Sequence, residues 1–159
     1  MLLDLQAHQQ YPLSVNDLPG IHDDPLHELR AKRIAQLKKE GHDDEAAALA
    51  APNTRPVSIN FVAVGESGYP AIVWSADGGQ LALELVANDH KDRWIESVDF
   101  AGHKLVTPDR LTDPAWINWS FNALGWLPDN TLWFESEASG YAQLFVKPLD
   151  GKARALTAT

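Results

Sequence analysis

From position 57 onward, apolar and polar residues alternate in short runs separated by polar turns. Val57-Ser-Ile-Asn-Phe-Val-Ala-Val64 alternates through its first half, and Ala71-Ile-Val-Trp-Ser75 is a second short apolar run. Leu81-Ala-Leu-Glu-Leu-Val-Ala87 and Trp94-Ile-Glu-Ser-Val-Asp99 follow, then Ala123-Leu-Gly-Trp126, Thr131-Leu-Trp-Phe-Glu-Ser136 and Tyr141-Ala-Gln-Leu-Phe-Val-Lys147. The breaks between them are turn-formers: Asp77-Gly-Gly79, Asn88-Asp-His-Lys-Asp92, Pro128-Asp-Asn130 and Glu137-Ala-Ser-Gly140. Turn signals at intervals of about 8–12 residues predict an all-β region of short antiparallel strands.

The order of these runs occurs twice. One unit opens with Trp74-Ser-Ala-Asp-Gly78 and closes with Gly102-His-Lys-Leu-Val-Thr107. The other opens with Trp126-Leu-Pro-Asp-Asn130 and closes with Gly151-Lys-Ala-Arg-Ala-Leu-Thr157. A repeat of roughly 50 residues is the length of one four-stranded propeller blade. The predicted fold class is therefore mainly β: about two four-stranded antiparallel β-propeller blades with an N-terminal helical hairpin insertion. The Trp at the head of each unit is expected to pack in the core between adjacent blades. Thr107-Pro-Asp-Arg-Leu-Thr-Asp-Pro114 reads as the loop that passes from one blade to the next. Two blades leave sheet faces and strand edges uncovered, so the chain is expected to self-associate or to fold its helices over the open side.

The first 56 residues read differently. Residues 1 to about 23 suggest the tail of an earlier strand, in Leu3-Asp-Leu-Gln-Ala7, and a breaker-rich loop through Tyr11–Gly20. Residues 24 to about 51 are helical. Asp24 and Pro25 suit a helix start, and Leu26, Leu29, Ile34 and Leu37 fall near one stripe. Lys38, Lys39 and Gly41 mark its end. Asp43 or Asp44 could cap a second, shorter helix that Pro52, Asn53 and Pro56 terminate. The division expected is residues 1–56, a partial strand and loop with a helical insertion, and residues 57–159, about two blades.

Charge and composition narrow the partners. The 159 residues carry 22 acidic and 13 basic side chains, a formal net charge of −9, which repels a phosphate backbone and argues against nucleic acid. With 45% hydrophobic residues and six Trp a core is available. The absence of Cys removes disulfides, thiol nucleophiles and Cys-based zinc. No run reaches the ~18 apolar residues of a membrane span. Met1-Leu-Leu-Asp-Leu-Gln6 lacks the basic start of a signal peptide, and the choice between periplasm and cytoplasm stays open.

Candidate chemistry is sparse. A nucleophile elbow needs Gly-x-Ser-x-Gly, and Gly65-Glu-Ser-Gly-Tyr69 brings its last Gly one position early, so Ser67 reads as a turn residue. Ser139, before Gly140-Tyr141, reads likewise. Asp23-Asp24 and Asp43-Asp44 are adjacent acids at helix-cap positions. His8, His22, His27, His42, His90 and His103 match no metal-ligand spacing. Asn88-Asp-His-Lys-Asp-Arg93 lacks the Gly and Glu of a Ca²⁺ loop and reads as a solvated charged turn. No residue is assigned a catalytic, cofactor-binding or metal-binding role, and no cofactor is expected.

Trp126-Leu-Pro-Asp129, Leu132-Trp-Phe-Glu-Ser136, Ser139-Gly-Tyr-Ala-Gln-Leu-Phe145, Leu149-Asp-Gly151 and Ala155-Leu-Thr157 together resemble the propeller of the prolyl oligopeptidase family, in its dipeptidyl peptidase IV branch. Asp24-Pro-Leu-His-Glu-Leu-Arg30, Arg55-Pro-Val57 and Lys91-Asp-Arg-Trp94 resemble the bacterial members. The resemblance covers most of residues 18–157. It implies a serine peptidase whose N-terminal propeller caps a C-terminal α/β-hydrolase domain and restricts the access of peptide substrate. The Ser, Asp and His would lie in that hydrolase domain, so the chain alone is expected to be inactive. The acidic pair with which the branch binds a substrate's amino group has no matching motif here, and that role is not carried onto Asp23-Asp24 or Asp43-Asp44. The alternative is a free-standing propeller-type binding module, for protein or ligand, that completes its array of sheets by self-association.

Overall fold

The computed structural model describes residues 1–51, 55–59 and 70–157. Among them the protein is mainly β, with three antiparallel sheets and two helices.

The chain opens with a hairpin of β1 (Leu2–Asp4) and β2 (Gln9–Tyr11). Two helices follow, α1 (His27–Glu40) and α2 (Asp43–Ala50), which pack on each other and bury Leu37 and Ala46. Asp24 lies outside α1 instead of capping it. Its carboxylate accepts the Leu26 amide at 3.1 Å and pairs with Arg30 at 2.9 Å. Gly41 ends α1 at φ +83°, and its amide and that of His42 satisfy the Lys38 and Leu37 carbonyls. Asp43 and Asp44 occupy the first turn of α2, where negative charge complements the helix dipole.

The second sheet contains β3 (Val57–Ile59), β4 (Ile72–Trp74), β5 (Leu81–Ala87), β6 (Asp92–Asp99) and β7 (Lys104–Thr112). It has five strands because β3 and β4 share one edge of β5. Ile59 faces Leu85, and Ile72 faces Leu83. Counted across, it is a four-strand-wide meander that runs from β3/β4 through β5 and β6 to β7. The third sheet is a second meander of β8 (Leu124–Trp126), β9 (Leu132–Ser136), β10 (Gln143–Lys147) and β11 (Arg154–Ala155).

One expectation is overturned at the join. Much of the stretch read as an inter-unit loop, Thr107–Thr112, belongs to β7. Pro108 fits there because the pairing slips between Ile95–Asp109 and Ser97–Val106. Thr107 and Pro108 bulge opposite Glu96, and a bulge on an edge strand asks no ladder amide of proline.

Strand alternation divides the core in two. On one face of the second sheet, Ala82 and Ile95 meet Leu124, Leu132 and Phe134 of the third, with Val73, Trp126 and Phe145 at the margin. The two meanders thus pack face to face. On the other face, Leu85, Ala87 and Trp94 are covered by Leu18 and Ile21. The Trp94 indole donates to the Pro19 carbonyl at 2.8 Å. This face is therefore closed in part by the segment before the helices.

Candidate functional site

The charged turn after β5 does not behave as a solvated turn. Asp92 and Arg93 are fully buried, and their placement follows from the hairpin. Asp92-Arg93 on β6 and Asp109-Arg110 on β7 run in opposite directions, so each acid lies diagonally across from the other strand's arginine. Arg110 Nε donates to Asp92 Oδ1 at 2.7 Å, and Arg93 Nη2 donates to Asp109 Oδ2 at 2.8 Å.

Alternation sends these two pairs to opposite faces. On the face of the N-terminal segment, Asp92 also accepts from Arg55 Nη1 at 2.6 Å, while Arg55 grips Asp89 through Nε and Nη2 at 2.8 and 2.7 Å. Arg55 Nη1 further donates to the Gly20 carbonyl at 3.2 Å, and its guanidinium lies 5.7 Å from the Trp94 ring centroid. Arg110 reaches Asp23 at 3.1 Å. Desolvation opposes the charge on Arg55, but Asp89 and Asp92 outweigh it and hold the guanidinium's pKa up. The Asp89 carboxyl is likewise desolvated, yet it is held below its ordinary value by Arg55 and the Lys91 amide. On the other face, Arg93 Nη1 crosses to the third sheet, donating to the Asn122 side chain at 2.7 Å and the Glu135 carbonyl at 2.9 Å.

A cleft of about 420 Å³ adjoins this network, between the start and end of the helical hairpin and the β5–β6 turn. Asp23, Asp24, Arg30, Arg55 and Asp89 supply its charges. Each acid here is paired with an arginine, Asp23 with Arg110, Asp24 with Arg30 and Asp89 with Arg55. Among the described residues the cleft therefore offers arginine-paired carboxylates and no free carboxylate pair for an ammonium group.

Among the described residues, no group of three His, Asp or Glu could hold a metal ion. Ser139 sits in the exposed turn before β10, and its hydroxyl donates to the Tyr141 carbonyl at 3.4 Å. Ser67 lies outside the described residues. His90 packs edge-on against Trp119, and His103 stacks on Tyr11.

Two buried acids, Glu84 and Glu96, do not stand out in the sequence because they sit within strand runs. Burial raises the Glu96 carboxyl to about 7, partly offset by the Thr107 hydroxyl that donates to it at 2.7 Å. The missed signal is charge inside a strand, at Glu84, Asp92, Arg93 and Glu96, where solvent exposure alternates with burial or is absent.

The head-of-unit tryptophans are not equivalent. Trp126 Nε1 donates to the Val73 carbonyl at 3.1 Å, tying β8, the first strand of the third sheet, to β4 of the second. Beside it, Asn130 Nδ2 donates to Asp77 Oδ2 at 2.8 Å. Asp77 also accepts from the Ser75 hydroxyl and the Gly79 amide, and these bonds hold its carboxyl down to about 2. Trp74 holds the matching position in the second sheet and is 55% exposed, stacked on Phe100 with centroids 5.8 Å apart.

No family model matches the chain, and no curated protein matches it. A solved structure of a candidate dipeptidyl aminopeptidase IV from Bacteroides ovatus superposes with a TM-score of 0.47 at 16% sequence identity. The likeness covers 61% of this chain and 17% of that one. So distant a likeness assigns neither a family nor an activity.

Proposed function

We propose that the chain is a non-catalytic propeller segment of a dipeptidyl-peptidase-like serine peptidase. Residues 57–159 form two successive blades, and residues 1–56 add a two-stranded hairpin, a loop and the helical insertion. The observation that carries this reading is the contact of Trp126 with Val73. It places β4 and β8, the strands on which the two sequence units open, side by side, as in a radial array of blades. The dipeptidyl-peptidase part rests on the sequence motifs from Trp126 to Thr157, most of which lie on β8–β11 and their turns.

In this role the sheets wall and gate a path by which peptide substrate reaches a hydrolase domain. Acyl transfer would occur in that domain, through a Ser nucleophile, a His base and an oxyanion hole. The chain's arginine–aspartate network cross-links the wall at the helical hairpin. A free-standing binding module is the second reading, favoured by the exposed Trp74 face.

The test is dipeptide release from Gly-Pro and Ala-Pro chromogenic substrates. The full product of the gene that encodes this chain should cleave them and lose activity to a serine-reactive fluorophosphonate, whereas the chain alone should not cleave them. Turnover by the purified chain alone, or a full product without a labelled serine, contradicts the proposal.

A further inference from the structure

The β1–β2 hairpin carries the same turn as the β6–β7 hairpin. Asp4 pairs with Gln9 and Asp99 with Lys104, so four residues lie between in each case. Asp4 Oδ1 accepts the Ala7 amide at 2.8 Å, and Asp99 Oδ1 accepts the Gly102 amide at 2.9 Å. The fourth turn residue is His8 in one and His103 in the other, both at φ +52°. By turn length, capping acid and left-handed histidine, β1 corresponds to β6 and β2 to β7. In the second sheet β6 pairs on its other side with β5, whereas β1 has no strand on that side among the described residues.

A second, independent observation lies across the cleft from β1. Trp126 and Trp74 hold the same position in their sheets, opposite Leu132 and Leu81 at the ends of β8 and β4. Each projects from the face that precedes its own sheet. Trp126 finds a carbonyl there, on β4, while Trp74 and Ile72 stay exposed. A cleft of about 310 Å³ separates Leu3 and Leu5 from Phe100, against which Trp74 stacks.

We infer that the edge of β1 that no described strand pairs and the Trp74 face together form the seat of a β-hairpin of the β4–β5 type, joined to β1 by a short turn. β4–β5 already performs both tasks within this chain. β5 adds to the inner edge of β6, and Val73 on β4 accepts the next sheet's indole. The occupant would pair with β1 as β5 pairs with β6, and its first strand would present a carbonyl to Trp74 Nε1. Its inward face would be small and aliphatic, as Val73 and Ala82 are toward Trp126 and Leu132. This inference rests on the repeat geometry alone, so its failure leaves the peptidase reading standing.

The test fuses a second copy of residues 70–91, which includes the native turn Asn88–Lys91, directly to Leu2 of the full chain. A fusion with the hairpin residues scrambled is the comparison. The native hairpin should raise Tm by about 5 °C or more over the scrambled one. In ¹⁵N-labelled protein the Trp74 indole N–H should exchange with solvent at least tenfold more slowly, and Trp74→Ala should abolish the Tm gain. Equal melting of the two fusions, or an indole that stays as exposed, overturns the inference. Burial of Trp74 by concentration-dependent dimerisation of the unfused chain also overturns it, in favour of a second copy as occupant.

Discussion

The indole of Trp126 donates a 3.1 Å hydrogen bond to the carbonyl of Val73, across the gap between two sheets. Both groups are within strands that make few bonds of their own, since β4 and β8 are three residues each. Removing the donor alone leaves the carbonyl without this partner. Trp126→Phe is expected to cost about 1–2 kcal/mol of stability by denaturant unfolding. Trp74→Phe, which breaks no such bond, should stay within about 0.5 kcal/mol of the parent. Equal losses for the two would mean that the sheets do not lean on this contact.

Glu96 makes stability depend on pH in a defined direction. Its carboxyl titrates at about 7 in the folded chain against an ordinary 4.5, because burial disfavours its charge. Between those values the folded state keeps a proton that the unfolded state has released. The group's contribution is therefore complete below pH 4.5 and is lost as pH rises through 7, by about 3 kcal/mol in all. Glu96→Gln keeps the acceptor for Thr107 and cannot ionise. Unfolding free energies of parent and variant should differ little at pH 4 and diverge by pH 8, the variant being the more stable. Parallel curves would show that Glu96 ionises normally.

Gly20 is required by the charge network. It sits at φ +70°, and a Cβ there would lie 2.1 Å from the Arg110 guanidinium. Gly20→Ala should combine backbone strain with displacement of Arg110 from the buried Asp92, for a loss of at least about 2 kcal/mol. When Arg110→Met is already in place, Gly20→Ala should cost much less, because the clash disappears with the guanidinium. A full Gly20→Ala penalty in the Arg110→Met background would assign the cost to the backbone alone.

Much of the β architecture is legible in the sequence. β5 runs from Leu81 to Ala87, as its apolar run predicts, and β9 and β10 begin and end within two residues of theirs. The helical hairpin is legible from its Lys38-Lys39-Gly41 stop. Pattern fails where tertiary context overrides it. Pro108 and the polar residues around it suggest a loop, yet a bulge accommodates them in an edge strand. Asp89, Asp92 and Arg93 read as solvated because their partners are remote. Arg55 is 34 residues from Asp89, and Asn122 is 29 from Arg93. The contrast between Trp74 and Trp126 is invisible in the sequence because the two local patterns match, and only the neighbouring sheet distinguishes them.

The central claim is that the two meanders stack as successive repeats through β4 and β8. A ¹⁵N-resolved nuclear Overhauser experiment tests it at the contact itself. The indole N–H of Trp126 should show cross-peaks to the main chain of Val73 and Trp74, and the Trp126→Phe variant should lose that set. An indole N–H that exchanges freely with water and has no cross-peak to β4 would contradict the account.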